Sequence, residues 1–458
     1  MKRALGPLDK RKRVTRCEEC AKRRIKCEGG YPCEYCVRTN KICQLRQPRQ
    51  NEVKFVAVTN PAQSKQLPMQ VSKKTDALYL EHFALFMQRC QFTRGFASVT
   101  TDLLPLIQAS PPLRDVAIAI GALDASRRSS VRATSGQNSP RHVALISYGR
   151  SIHALQTQLA KAVSIQCEDV LWSTFFLGLF ELISETSGDR WVQHMCYGTS
   201  KLLQVAGPTE SLSSLRHTLF DAFRILETIR AIMYGNGTFL SQDAWLSYHP
   251  NPASNRSGTS DPMETIHTLM IQTSSFSKFL FDQVESIPEP LRSTDPAIIT
   301  LARQGIQVHQ RIRSWHDDIA PHMILTDPYA QPALANYHAL ELFHCRNYTF
   351  DSCWENKTIP SLTQSEIDAH VTSILHLSEQ SLEASIVPGV TLLFPLRMAG
   401  ANALQAEQRA KVVDILGQIY RSGFIVSDRI KVDVQELWQF LAMQQNGSIQ
   451  QLASTVQV

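Results

Sequence analysis

Between residues 17 and 43 the chain reads CEECAKRRIKCEGGYPCEYCVRTNKIC, and six of its eleven cysteines fall there. Cys17, Cys20, Cys27, Cys33, Cys36 and Cys43 follow the spacing C-x2-C-x6-C-x5-C-x2-C-x6-C, two similar halves joined by a short loop. Thiolates two residues apart sit on one tight turn, the placement that a tetrahedral zinc ion with sulfur ligands requires. Six thiolates give two ions four ligands each only if two of them bridge. The internal symmetry nominates the first cysteine of each half, Cys17 and Cys33, so the expected product is a compact cluster of two Zn2+. A disulfide framework is the competing use of such a run, but it belongs to secreted chains, and no signal peptide precedes these cysteines. A redox pair needs one C-x2-C, not two at matched spacing.

The loop between the second and third cysteines is Ala21-Lys22-Arg23-Arg24-Ile25-Lys26, and Pro32 stands just before the fourth. In these residues the sequence resembles the fungal binuclear zinc-cluster (six-cysteine) transcription factors. The resemblance implies that each half is a short helix followed by an extended strand, with the first helix entering the major groove of double-stranded DNA. Carried over by position, Arg24 matches the lysine or arginine that reads base edges of a CGG-like triplet. Arg23 and Lys26 match neighbouring DNA-contacting positions, while Lys22, Lys41 and Arg16 are expected on phosphates. Ala21 departs from the pattern, since the family usually has arginine there, and one backbone contact goes with it.

Charge is distributed unevenly. Residues 1–50 hold 15 Lys/Arg and 5 Asp/Glu, against 32 and 36 in the remainder. A head of net +10 on a body of net −4 fits a polyanion-binding module joined to an ordinary globular protein. Outside the cluster, Cys90, Cys167, Cys196, Cys345 and Cys353 lack pair spacing and read as reduced thiols of an intracellular protein. No apolar run reaches the roughly 18 residues of a membrane helix, so no membrane partner is expected.

In chain order, residues 1–16 form a basic arm with Lys10-Arg11-Lys12-Arg13, suited to phosphate contact or nuclear import. The cluster, 17–43, is followed by a polar linker at 44–74, broken by Pro48, Pro61 and Pro68. Many members of the resembled family carry a dimerising coiled coil there. The sustained apolar heptads it needs are missing here, which leaves monomeric binding or a homodimer formed through the body. Residues 75–445 carry helical periodicity. Leu145, Tyr148, Ile152, Leu155 and Leu159 mark one face, and Asp169–Glu185 is apolar all round, as in a central buried helix. Further helices are expected near 191–205, 215–233, 263–281, 297–319, 333–345, 367–384 and 408–422. Residues 446–458 read as a polar, Gln/Ser-rich tail. The fold class expected is therefore a small N-terminal two-zinc binuclear cluster domain plus a large all-α regulatory domain.

The body is similar to the fungal-specific regulatory domain that follows such clusters. The residues concerned are Phe180-Glu181-Leu182, Trp191, His194, Gly198, Leu202-Leu203 and Gly207-Pro208. Near the C-terminus they are Phe394-Pro395-Leu396, Ala399-Gly400, the Arg409–Ile419 helix and Trp438. The resemblance implies a nuclear, sequence-specific factor of RNA polymerase II genes, by family default an activator of a metabolic or specialised-metabolite pathway. Its partners would be transcription coregulators and a small-molecule effector. The rival is a ligand-sensing or enzymatic helical body with the basic head as a localising tether. Catalytic motifs do not support that rival. The fourteen histidines include no H-E-x-x-H, and no G-x-S-x-G elbow or phosphate loop occurs. His309, His316, His338 and His344 read as structural, and Asp317-Asp318 as a solvated helix end. His344 and Cys345 cannot act as base and nucleophile together, because adjacent residues on a helix point apart. An RNA-binding zinc protein is disfavoured because Tyr31 and Tyr35 are the cluster's only aromatics.

Overall fold

The computed structural model describes residues 17, 19–20, 32–44, 73–94, 96, 98–128, 139–160, 167–208, 213–246, 248, 261–324, 326–383 and 386–455, with the side chains of 73–74 and 445–455 left aside. The chain divides into two compact units, residues 1–71 and 72–458. Among the described residues no strand occurs.

In the first unit, α1 spans Glu34–Arg38, with Glu34 in its first turn and Arg38 in its last, each suited to the nearby helix end. Thr39 closes it, its hydroxyl donating to the Tyr35 carbonyl (2.7 Å). Asn40 then takes a left-handed φ of 51°, which turns the chain back toward Cys43. The described core of this unit is five buried cysteines with Tyr35 packed against them. So few apolar atoms cannot offset the entropy of ordering the chain, so this unit depends on a cross-link.

The second unit is built from helices. Its first half contains α2 (Lys73–Arg89), α3 (Val99–Ala109), α4 (Pro111–Arg128), α5 (Pro140–Leu159), α6 (Glu168–Ser184), α7 (Asp189–His194), α8 (Ser200–Ala206), α9 (Ser214–Tyr234) and the single turn α10 (Asp243–Leu246). A π-turn at Met195–Thr199 joins α7 to α8. The second half contains α11 (Pro262–Ser286), α12 (Pro296–Ile319), α13 (Ala330–Arg346), α14 (Gln364–Glu383), α15 (Leu393–Asn402), α16 (Ala406–Ser422) and α17 (Ser427–Thr455).

Helix α6 is the centre of the first half. Every residue from Val170 to Ile183 is buried, and α4, α5, α7 and α9 surround it. Its aromatic side meets Phe83 of α2 edge-on, with the Phe83 and Phe176 ring centroids 5.2 Å apart. Trp172 packs against Phe176, Phe175 and Phe96. Such pairs add to the burial of large side chains, which dominates core energetics. Arg127 at the end of α4 secures the rim, donating to the Ile183 and Gly423 carbonyls that end α6 and α16. In the second half α13 has the central place, with α11, α12, α14 and α15 around it. Trp438 of α17 donates to the Gly400 carbonyl of α15 (2.8 Å), and the Arg409 guanidinium lies over its ring. Three C-terminal residues singled out by resemblance thus meet in one contact.

The helix expected over α5 forms, but the face differs. Leu145 is 55% exposed, and the buried stripe is Val143, Ala144, Ser147, Ser151 and Leu155. The neighbour decides this. Helices α4 and α5 run close along each other, and small residues on the buried face of α5 suit so close a contact. The Ser151 hydroxyl, which gives no hydrophobic signal, donates to the Pro112 carbonyl across it (2.7 Å). Tyr148 moves to the edge, stacking on Phe180 and bonding Glu181. Helix α3 is an element missed because Pro105 lies inside it. The backbone of the expected polar tail is helical as far as Thr455, a continuation of α17.

Exposed Gly149 of α5 has open space where a Cβ would lie. Gly149→Ala is expected to stabilise the body by about 0.5–1 kcal/mol, because only the helix penalty of glycine is removed. The denaturation midpoint reads this directly.

Candidate metal centre and nucleic-acid interface

The helical turn at Glu19–Cys20 and helix α1 carry the C-x2-C pairs inward. Cys17 Sγ lies 3.7 Å from both Cys33 Sγ and Cys36 Sγ, and Cys20 Sγ lies 3.7 Å from Cys33 Sγ. These four sulfurs are all within 4.8 Å of one another. Two sulfurs on one tetrahedral zinc, each about 2.3 Å from the ion, stand about 3.8 Å apart. The donor set and its spacing therefore fit zinc. Cys43 joins through its sulfur, which accepts the Cys33 backbone N–H (3.3 Å).

The electrostatics distinguish the cysteines. Cys17 is held below the usual thiol range chiefly by the backbone N–H of Cys20, against the effect of burial. Cys33 is lowered in the same way by the N–H of Cys36. Burial and the neighbouring thiols raise Cys36. Cys43 is raised as well: the Cys33 N–H favours its thiolate, but burial and the Cys17 and Cys33 thiols outweigh that bond. Of these four, the first cysteine of each half is thus the one held below the usual thiol range.

Of the expected DNA-contacting residues, Lys41 is exposed, and its backbone N–H bonds the Cys36 carbonyl (2.9 Å), which ties it to the cysteine core. Arg16, Lys22, Arg23, Arg24, Lys26 and the sixth cysteine, Cys27, lie outside the described residues.

In the body, the histidines acquire partners that sequence spacing did not suggest. His344 and Cys345 both reach α12 but meet different residues there, Gly305 and His309. His344 Nε2 meets the Gly305 carbonyl (2.8 Å), and burial lowers its pKa to about 4, so the ring is neutral. Burial pushes the Cys345 thiol up to about 12, so it is no nucleophile at neutral pH. His338 and His370 face each other through their Nδ1 atoms at 2.9 Å. His309 meets Glu341, 32 residues away (2.8 Å), a pairing that only the packing of α12 on α13 creates. His194 Nε2 reaches the Thr174 carbonyl (2.7 Å) and joins α7 to α6. Asp317 and Asp318 are exposed.

Comparison with known proteins defines the class. The fungal specific transcription factor domain matches residues 87–447, most of the chain, and the fungal Zn(2)-Cys(6) binuclear cluster domain matches residues 15–52. The chain belongs to the fungal specific transcription factor domain family, with a binuclear cluster at its head. Both are domains of DNA-binding transcription factors, and a cluster domain of this kind binds two zinc ions. The chain is similar to the uncharacterized protein AN5342 of Emericella nidulans, 23% identical over 125 residues, which are 27% of this chain and 26% of that relative. No solved structure matches the chain. Among the described residues no helix is long and apolar enough to cross a membrane.

Proposed function

We propose that this chain is a nuclear, sequence-specific regulator of RNA polymerase II genes that reads a CGG-like triplet in the major groove. The observation that carries the reading is the close-packed sulfur cluster, with the run Lys22-Arg23-Arg24-Ile25-Lys26 between two of its cysteines. Cys17, Cys20, Cys27 and Cys33 would hold one zinc ion, and Cys33, Cys36, Cys43 and Cys17 the other, with Cys17 and Cys33 bridging. The ions supply a fixed tetrahedral cross-link in place of the missing apolar core. Arg24, with Arg23 and Lys26 beside it, reaches base edges, where an arginine fork matches guanine O6 and N7. Arg16, Lys22, Lys41 and the basic arm neutralise phosphates. The linker lacks heptads, so pairing of two heads, where it occurs, falls to the helical body. That body would also receive coregulators and a small-molecule effector, in keeping with activation of a metabolic or specialised-metabolite pathway.

Selection from a random duplex library by the full chain tests the reading, with enrichment of a CGG-containing motif expected. Arg24→Ala should relax preference at one base step by about 1–3 kcal/mol, roughly 5- to 150-fold, and leave affinity for random DNA nearly unchanged. Lys41→Ala should weaken all sequences alike and flatten the log–log salt slope by about 0.9. An Arg24→Ala chain weakened equally on every sequence would reassign Arg24 to the phosphates. No enrichment at all would make the head an electrostatic tether.

A further inference from the structure

Helices α12 and α13 bring together three side chains of metal-binding type, far from one another in sequence. Glu341 and Cys345 are one turn apart on the same face of α13, and His309 faces them from α12. His309 Nε2 is 2.8 Å from Glu341 Oε2 and 3.8 Å from Cys345 Sγ. One donor atom from each of the three falls within 4.8 Å of the others. Glu341 is 1% exposed, Cys345 7%, and the His309 side chain 13%.

A buried histidine–glutamate pair is the plainer reading, but it leaves two things over. It uses one carboxylate oxygen, while Glu341 Oε1 is buried and has no hydrogen-bond partner. It also gives no role to Cys345, whose sulfur points at the same imidazole nitrogen. Both remainders are what a cation between the three groups would use. From these observations we infer that His309, Glu341 and Cys345 form a binding site in the helical body for a divalent transition metal of the zinc type. One nitrogen, one oxygen and one sulfur donor select borderline-soft ions over magnesium or calcium, which prefer oxygen alone. Coordination displaces the Cys345 thiol proton and the His309 Nε2 proton, the imidazole then keeping its proton on Nδ1. His344 is not among the converging donor groups, so the fourth corner is left to water or an added ligand. The rival cation is Arg313, whose Nε is 3.8 Å from Glu341 Oε2. Its side chain is 51% exposed and can swing into solvent when the metal enters. The site stands on α12 and α13 alone and is independent of how the head reads DNA.

The test uses the full chain loaded with zinc alone, as wild type, Cys345→Ala and His309→Gln. Bound zinc is counted after dialysis against a weak chelator. The wild type should retain one equivalent more than either variant, while all three keep the same helical circular dichroism. Replacing zinc with cobalt(II) should give a wild-type-minus-Cys345→Ala difference spectrum with tetrahedral ligand-field and sulfur charge-transfer bands. If Cys345→Ala loses helix, His309→Gln, altered at the rim of the site, carries the comparison. A wild-type chain that saturates at the two ions of its head overturns the proposal whatever the variants do. Equal zinc contents in all three folded chains overturn it as well.

Discussion

Replacing Cys33 with serine is expected to abolish sequence-specific DNA binding while the helical body stays folded. Among its described residues the head has no apolar core to fall back on: the interior is five thiols and the flank of Tyr35. Structural zinc contributes about 10–16 kcal/mol in small metal modules, far more than any contact this unit makes without it. Cys33 lies against both Cys17 and Cys20 and is bonded through its N–H to Cys43, so it is the sulfur best placed to serve both ions. Cys33→Ser should therefore empty the head of both ions, and Cys43→Ser of only one. Counting zinc in a Cys345→Ala background isolates the head, and fluorescence anisotropy on a selected duplex reads the loss of binding. Strong chelators should reproduce the effect without changing the circular dichroism of the body. Retention of one zinc ion and of specific binding by Cys33→Ser would remove Cys33 from the bridging role.

Gly121→Ala, by contrast, is aimed at the body and should destabilise it by about 3 kcal/mol or more. Two effects oppose each other. Alanine improves helix propensity by about 1 kcal/mol over glycine. Its methyl group would lie 1.8 Å from the Tyr79 carbonyl oxygen and 2.9 Å from the Phe83 nitrogen, both backbone atoms of α2. A backbone cannot rotate out of the way as a side-chain tip can, so α2 must move as a whole. It carries Phe83, Phe86 and Met87, each at most 4% exposed, out of register with the core. Overpacking costs typically 1–3 kcal/mol when side chains can adjust, and more when they cannot. Asp124 would also lose its bonds to Arg89 and His82 of α2. Chemical denaturation should show Gly121→Ala less stable than wild type and Gly149→Ala more stable. A Gly121→Ala chain as stable as the wild type would mean that α2 is not seated against α4 as described.

Much of this was legible without coordinates, and the reasons are local. Ligand spacing reports metal chemistry because a zinc ion gathers its sulfurs within a few residues on tight turns. The buried identity of α6 was readable because its apolar residues run all the way round, so no choice of neighbour alters the outcome. Helices α9, α11, α12, α13, α14 and α16 lie where periodicity placed them. Helix α3 escaped because a proline argues locally against a helix that packing nonetheless retains.

The amino-acid sequence by itself pointed to a zinc-cluster domain at the head and to a helical body. Spacing, charge and period are properties of a stretch of chain, and physics reads them one stretch at a time. Only the tertiary structure decided which face of α5 is buried, because the partner that covers Ala144, Ser147 and Ser151 is another helix, α4. The fold alone also made Gly121 indispensable, through a carbonyl oxygen 42 residues earlier in the chain. It likewise set His309 against Glu341 and Cys345, which are 32 and 36 residues away. Contacts between helices depend on pairs of distant residues, and no local pattern in either partner encodes the meeting.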